Sequence, residues 1–185
     1  MQPMIPILQA LDEQCLVSFT GRLNILDKIT HQLLGVVVLK DGHIFRCQYR
    51  GIHGLKAFYN LVIEGAQLVA QDFIVEPEII EESDRDIHYP YTVLKTKGLE
   101  ALARYEAVAH QRPPADVKLL AKATFLDSDY EVSDAEFTVL CALSEWSLVG
   151  DLYRHCSLLD HEITESLVSL RRKEALQVIV PRSGR

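Results

Sequence analysis

The stretch SDAEFTVLCALSEWSLVGDLYRHCSLLDHEITESLVSLRRKEALQVIV, residues 133–180, decides how the chain is read. Its opening, Ser133-Asp134-Ala135-Glu136, is a capping box. The serine side chain accepts from a backbone N–H three residues on, and the glutamate reaches back, so two orphan donors of a helix start are satisfied. The spacing predicts a helix over residues 133–145, a second over 147–156 after a turn at Trp146, and a third over 160–176. Ile163, Leu167 and Leu170 share one face of the third. Gln177-Val178-Ile179-Val180 then reads as a short strand.

Three short helices and a strand joined by small connections resemble the winged-helix family. In that family the third helix enters the major groove and its N-terminal residues meet the bases. Here those residues are Asp160, His161, Glu162 and Glu165, and phosphates repel such acids. The resemblance therefore implies a helix that meets a protein, with His161, Glu162 and Glu165 as its contact residues. The rival reading is a DNA-binding regulator. It uses the one basic cluster, Arg171-Arg172-Lys173, together with Arg154 on phosphates and with Arg182 and Arg185 beyond the strand. That cluster also suits the negative end of the helix dipole.

Working outward, the charge balance argues against a general nucleic-acid binder. The 185 residues carry a net charge of −7, without the basic footprint of such proteins. The deficit is shared: residues 1–112 hold 11 bases against 14 acids, and residues 113–185 hold 8 against 12. Cys15, Cys47, Cys141 and Cys156 form no C-x-x-C pair and read as reduced core thiols of a cytoplasmic protein. The N-terminus shows no basic region ahead of an apolar run, and the longest apolar stretch, residues 33–39, is too short to span a bilayer.

The first half reads as a small mixed α/β domain, making the chain α+β. Residues 5–14 suggest a helix. Residues 15–26 have β character, broken at Thr20-Gly21. Residues 33–39 are rich in valine and leucine and form a strand. Lys40-Asp41-Gly42 is a hairpin turn. Residues 43–50 alternate, with Phe45, Cys47 and Tyr49 on one side and Arg46, Gln48 and Arg50 on the other. Gly51 ends the strand. Residues 52–64 form a helix that is apolar nearly all round, stopped at Gly65. Such a helix is buried on two sides, by a second layer or by a second copy, so a homodimer is expected. Residues 72–80 form an edge strand, marked by Pro77. Residues 81–91 are an acidic loop. Residues 92–111 form a long helix ended by Pro113-Pro114. The domains are then 1–112, a connector over 113–132, and the winged-helix-like domain over 133–185.

Phe19-Thr20-Gly21-Arg22-Leu23, then residues 34–44 with their Asp41-Gly42 turn, then Gly54-Leu55-Lys56-Ala57-Phe58-Tyr59 and Phe73-Ile74-Val75 follow one another in an order that resembles the PATAN domain family of bacterial signalling proteins. The resemblance covers residues 15–80. It departs between Leu23 and Leu34, where the family carries an amphipathic helix and residues 24–32 are short and polar. It implies an interaction module without a catalytic motif.

Other motifs are bland. Gly51-Ile52-His53-Gly54 could hold an anion at a helix start but reads equally as a turn. Asp84, Asp86 and His88 read as an acidic loop rather than a metal set. Asp127, Asp129 and Glu131 lack the glycine and distal glutamate of a calcium loop. No serine or cysteine stands in a nucleophile elbow. The expectation is a non-enzymatic bacterial signalling adaptor with no cofactor and no metal. Its partner is a protein, contacted through Arg46, Gln48 and Arg50 in the first domain and through the acidic helix in the second.

Overall fold

The computed structural model describes residues 5–67, 70–127 and 130–179. The chain divides into two compact units, Met1–Ala103 and Arg104–Arg185. The division falls inside a long helix, ten residues before Pro113-Pro114.

The first unit is an antiparallel sheet with helices. Helix α1 (Pro6–Leu16) leads into β1 (Gly21–Asp27), β2 (Leu33–Lys40), β3 (His43–Tyr49), β4 (Ile52–His53), α2 (Gly54–Ala66), β5 (Gln71–Pro77) and α3 (Tyr91–Val108). The strand order is β4-β3-β2-β1-β5, which puts Pro77 on an edge strand. Cys15 and Leu16, expected to be extended, belong to α1, and the strand starts where the sequence suggested a break. Residues 28–32 turn directly into β2, with the Asp27 carboxylate accepting from the N–H groups of Ile29 and Thr30 at 2.9 and 2.7 Å.

Two tight turns set the register. Asp41 and Gly42 both have positive φ, the geometry of a two-residue hairpin whose twist matches its strands. Arg50 and Gly51 repeat it, so Ile52 and His53 pair back onto Tyr49 and Gln48 as β4. The helix therefore begins at Gly54 rather than Ile52. Its expected stop, Gly65, lies inside α2, where an added Cβ would meet the side chains of Ile7 and Ile5.

One face of the sheet forms the core with the helices. Leu23, Ile25, Val37, Leu39, Ile44 and Cys47 are fully buried. Helix α2 lies on β3 and α1, and Gly98 of α3 comes against Val62 and Phe58. Thus the apolar faces that motivated a homodimer are covered within the unit. Helix α3 is tied to α1 through Asp12, which accepts from Lys95 Nζ at 2.7 Å and lies 2.8 Å from the Tyr91 hydroxyl.

The strict alternation expected for residues 43–50 fails at one residue. The pairing steps from Val38↔Arg46 to Leu39↔Ile44, leaving Phe45 without a partner. This bulge turns Phe45 away from Cys47 and into a small outer cluster with Val38 and Ile80. Its carbonyl accepts from the N–H groups of both Asp86 and Ile87 at 2.9 Å, so the segment after β5 crosses the outer face there.

On the central strand, a side chain at Gly35 would drive its Cβ into the Gln48 carbonyl oxygen and the Tyr49 ring. Gly35→Ala is expected to cost about 1–3 kcal/mol, read as a lower Tm by circular dichroism. An unchanged Tm would show that β2 and β3 separate there.

The second unit comprises β6 (Lys118–Ala121), α4 (Ala123–Leu126), α5 (Asp134–Glu145), α6 (Val149–His155), α7 (Asp160–Arg172) and β7 (Leu176–Ile179). The expected connector is thus part of the fold. Strand β6 pairs antiparallel with β7, Lys118 bridges to Leu148, and Leu119 and Phe125 enter the core with Val139, Leu152, Ile163, Leu167 and Leu170. Ser133 caps α5, and the capping box is complete. Helices α6 and α7 are shorter than expected, because residues 147–148 are extended beside β6 and α7 ends at Arg172. Val180, Arg182 and Arg185 lie outside the described residues.

Candidate partner-binding surfaces

In the first unit the register arranges the outer sheet face in rows. His53, Gln48, Val36, Asn24 and Ile74 succeed one another across the strands. Arg46, Val38, Arg22 and Glu76 form the next row. Gln48 is exposed and Arg46 half-buried. Burial raises the pKa of the Asp86 carboxyl, and Arg46 is near enough to oppose part of that rise. Asn24 donates to Glu76 at 2.8 Å, and Arg22 pairs with Glu78. Ile74 stands 47% exposed amid these polar groups. Arg46 and Gln48 therefore share this face, as the alternation predicted.

Arg50 does not. It sits in the β3–β4 turn, and its Nε donates to Glu64 Oε2 at 2.8 Å. Tyr49 donates to the same oxygen at 2.7 Å. Burial and the Glu64 carboxylate push the Tyr49 hydroxyl up to about 12. Arg50 thus fixes a turn onto α2, a role that simple alternation cannot reveal because the turn interrupts it.

In the second unit the side chains at the start of α7 are spent on the unit itself. His161 is 1% exposed, which corrects its expected place on the surface. Among the described residues its Nδ1 has no hydrogen-bond partner, and burial, with Arg104 nearby, lowers its pKa. Glu162 accepts from the Leu159 N–H at 2.9 Å as part of the helix start. Arg104 donates to Glu165 at 2.7 Å, and Arg112 to Asp160 at 2.8 Å. The Arg112 guanidinium also lies 4.0 Å above the Tyr153 ring, a favourable contact for a cation. The acids that seemed bare in the sequence are neutralised by arginines far away along the chain.

The basic cluster is likewise divided. Lys173 turns inward, where its Nζ donates to Glu136 Oε2 and to the Glu131 carbonyl, each at 2.8 Å. Arg154 faces Asp151 at 3.7 Å. Arg171 and Arg172 are exposed in the last turn of α7, and among the described residues neither guanidinium has an ionic partner.

Two clefts flank this helix. One, of about 570 Å³, holds Arg104, Glu136, Ser166, Ser169 and Lys173. Its two cations are paired with acids of the same cleft, Arg104 with Glu165 and Lys173 with Glu136. The second, of about 830 Å³, runs along the opposite side. Its floor is the face of the β6–β7 ribbon carrying Leu119 and Val178, which stand opposite in register. Leu167 and Val168 of α7 form one wall, and His110 to Pro114 form the other. Arg171 and Arg172 stand at its rim. Val178 is 56% exposed while Leu119 beside it is buried, so the floor is reached through Val178.

Among the described residues no three His, Cys, Asp or Glu side chains gather to hold a metal, and no helix is long and apolar enough to cross a membrane. Comparison with protein-family models, with curated proteins and with solved structures returns no match for this chain.

Proposed function

We propose that this chain is a non-enzymatic adaptor that binds protein partners, with a PATAN-like first unit and a winged-helix-like second unit. The observation that carries the reading is the fate of the α7 entry. A base-reading helix offers free polar side chains at its N-terminal end. Here His161 is buried, Glu162 caps the helix, and Asp160 and Glu165 are held by Arg112 and Arg104. The order α5, α6, α7, β7, with residue 148 beside β6, supports the winged-helix likeness. The outer sheet face, with Gln48 exposed and Arg46 half-buried, supports a contact surface on the first unit.

The rival, a DNA-binding regulator, is favoured by one observation, that Arg171 and Arg172 are exposed without an ionic partner among the described residues. Two arginines supply only a small part of the phosphate neutralisation on which non-specific affinity rests. The protein is therefore expected to show no appreciable binding to duplex DNA at physiological salt, measured by fluorescence anisotropy with labelled duplexes. Tight, salt-sensitive or sequence-specific binding would replace the adaptor with the regulator.

A further inference from the structure

We infer that the groove between α7 and the β6–β7 ribbon is a docking site for an acidic amphipathic segment of a partner protein. This rests on the adaptor reading and names the chemistry of its partner. The groove joins an apolar floor to a cationic rim. Leu119 and Val178 supply the floor, and Leu167 and Val168 the adjoining wall. Arg171 and Arg172 stand one turn further along that wall, exposed, and among the described residues no carboxylate pairs with them. That contrasts with the opposite cleft, where each cation meets an internal acid: Arg104 meets Glu165 and Lys173 meets Glu136. Charge complementarity thus singles out an acidic visitor at this groove. An apolar stripe flanked by acids satisfies both parts, since its side chains cover Val178 while its carboxylates reach the guanidiniums. Arginine is suited to this, because its planar fork takes a carboxylate through two hydrogen bonds.

The test uses the full chain and a short fluorescein-labelled amphipathic peptide of leucine, alanine and glutamate. A counterpart with lysine in place of every glutamate serves as the opposite charge. The acidic peptide is expected to bind, the basic one not, and added salt to weaken the complex. Arg171→Glu with Arg172→Glu is expected to weaken binding by about tenfold or more. The milder pair Arg171→Gln with Arg172→Gln should fall between, and unchanged Trp146 fluorescence confirms that both variants fold. Absence of acidic-peptide binding, equal binding of both peptides, or binding that survives the charge reversal would overturn the inference. So would a dimer by light scattering that the reversal dissolves, which would give the groove to a second copy. These failures leave the adaptor reading standing if a protein crosslinks at Gln48. Duplex DNA binding abolished by the same reversal would remove both.

Discussion

Glu136→Gln is expected to lower the stability of the second unit by about 3 kcal/mol, seen as a lower urea midpoint for Trp146 fluorescence. Trp146 is the chain's one tryptophan and reports on its own unit. Glu136 is 4% exposed. Its Oε2 receives Lys173 Nζ at 2.8 Å and the Ser133 N–H at 2.7 Å, so one carboxylate fastens the start of α5 to the end of α7. Burial alone would raise its pKa, but Lys173, Ser169 and Ser133 outweigh it and hold the carboxyl down to about 2. A carboxyl lowered on folding stabilises the fold above its unfolded value, near 4.5, and that contribution fades as pH falls toward 2. Removing the charge leaves Lys173 facing an unpaired site. Exchanging both partners, Glu136→Leu with Lys173→Met, is expected to cost less than either single change, because no uncompensated charge remains. Equal midpoints for wild type and Glu136→Gln at pH 7 would show that the pair contributes nothing.

His161 adds to the acid sensitivity with the same sign. Its folded pKa is lowered, so the unfolded chain takes the proton first and stability falls as pH drops through the ordinary histidine range. The Trp146 midpoint is therefore expected to decline from pH 7 to pH 4, and His161→Phe to flatten the upper part of that decline. An unaltered profile in this variant would remove His161 from the account.

In the first unit the largest effect is expected at Phe58. It is fully buried in α2, with Gly98 of α3 approaching its ring and Tyr59 edge-on at 6.0 Å between centroids. Phe58→Ala is expected to cost about 3–5 kcal/mol, from lost transfer energy and the cavity left behind. The helical circular dichroism transition should move to lower temperature. A loss below about 1 kcal/mol would mean that the layers collapse onto the gap.

Much of the fold was legible because local signals there agreed with the tertiary structure. Asp41-Gly42 set one hairpin, Ser133 and Glu136 set the start of α5, and Pro77 marked an edge. What escaped was decided by long-range pairing. Nothing local in residues 118–121 announces a strand; β6 exists because β7, more than fifty residues later, supplies its partner. Phe45 left its expected side because of a bulge, and periodicity cannot register one extra residue. Arg50 joined a turn for the same reason that Gly51 did, a positive φ shared by both residues.

The candidate surfaces show the same limit more sharply. Alternation placed Arg46 and Gln48 on one face. It could not reveal that Arg104 and Arg112, on the other side of three helices in sequence, neutralise Glu165 and Asp160. Nor could helical spacing show that Lys173 leaves the basic cluster for Glu136, while Arg171 and Arg172 stay exposed with no ionic partner among the described residues. Charge counted along a sequence describes the rim of the groove only after internal pairs are removed.

The most direct test of the adaptor reading is site-specific photo-crosslinking in cells of the source organism. A photoreactive amino acid replaces Gln48 on the sheet face or Arg172 at the groove rim, with Ser144 on the exposed side of α5 as the control. Discrete protein adducts are expected from Gln48 and from Arg172, and none from Ser144. Adducts to nucleic acid at Arg172, or no protein adduct at either surface, would contradict the reading.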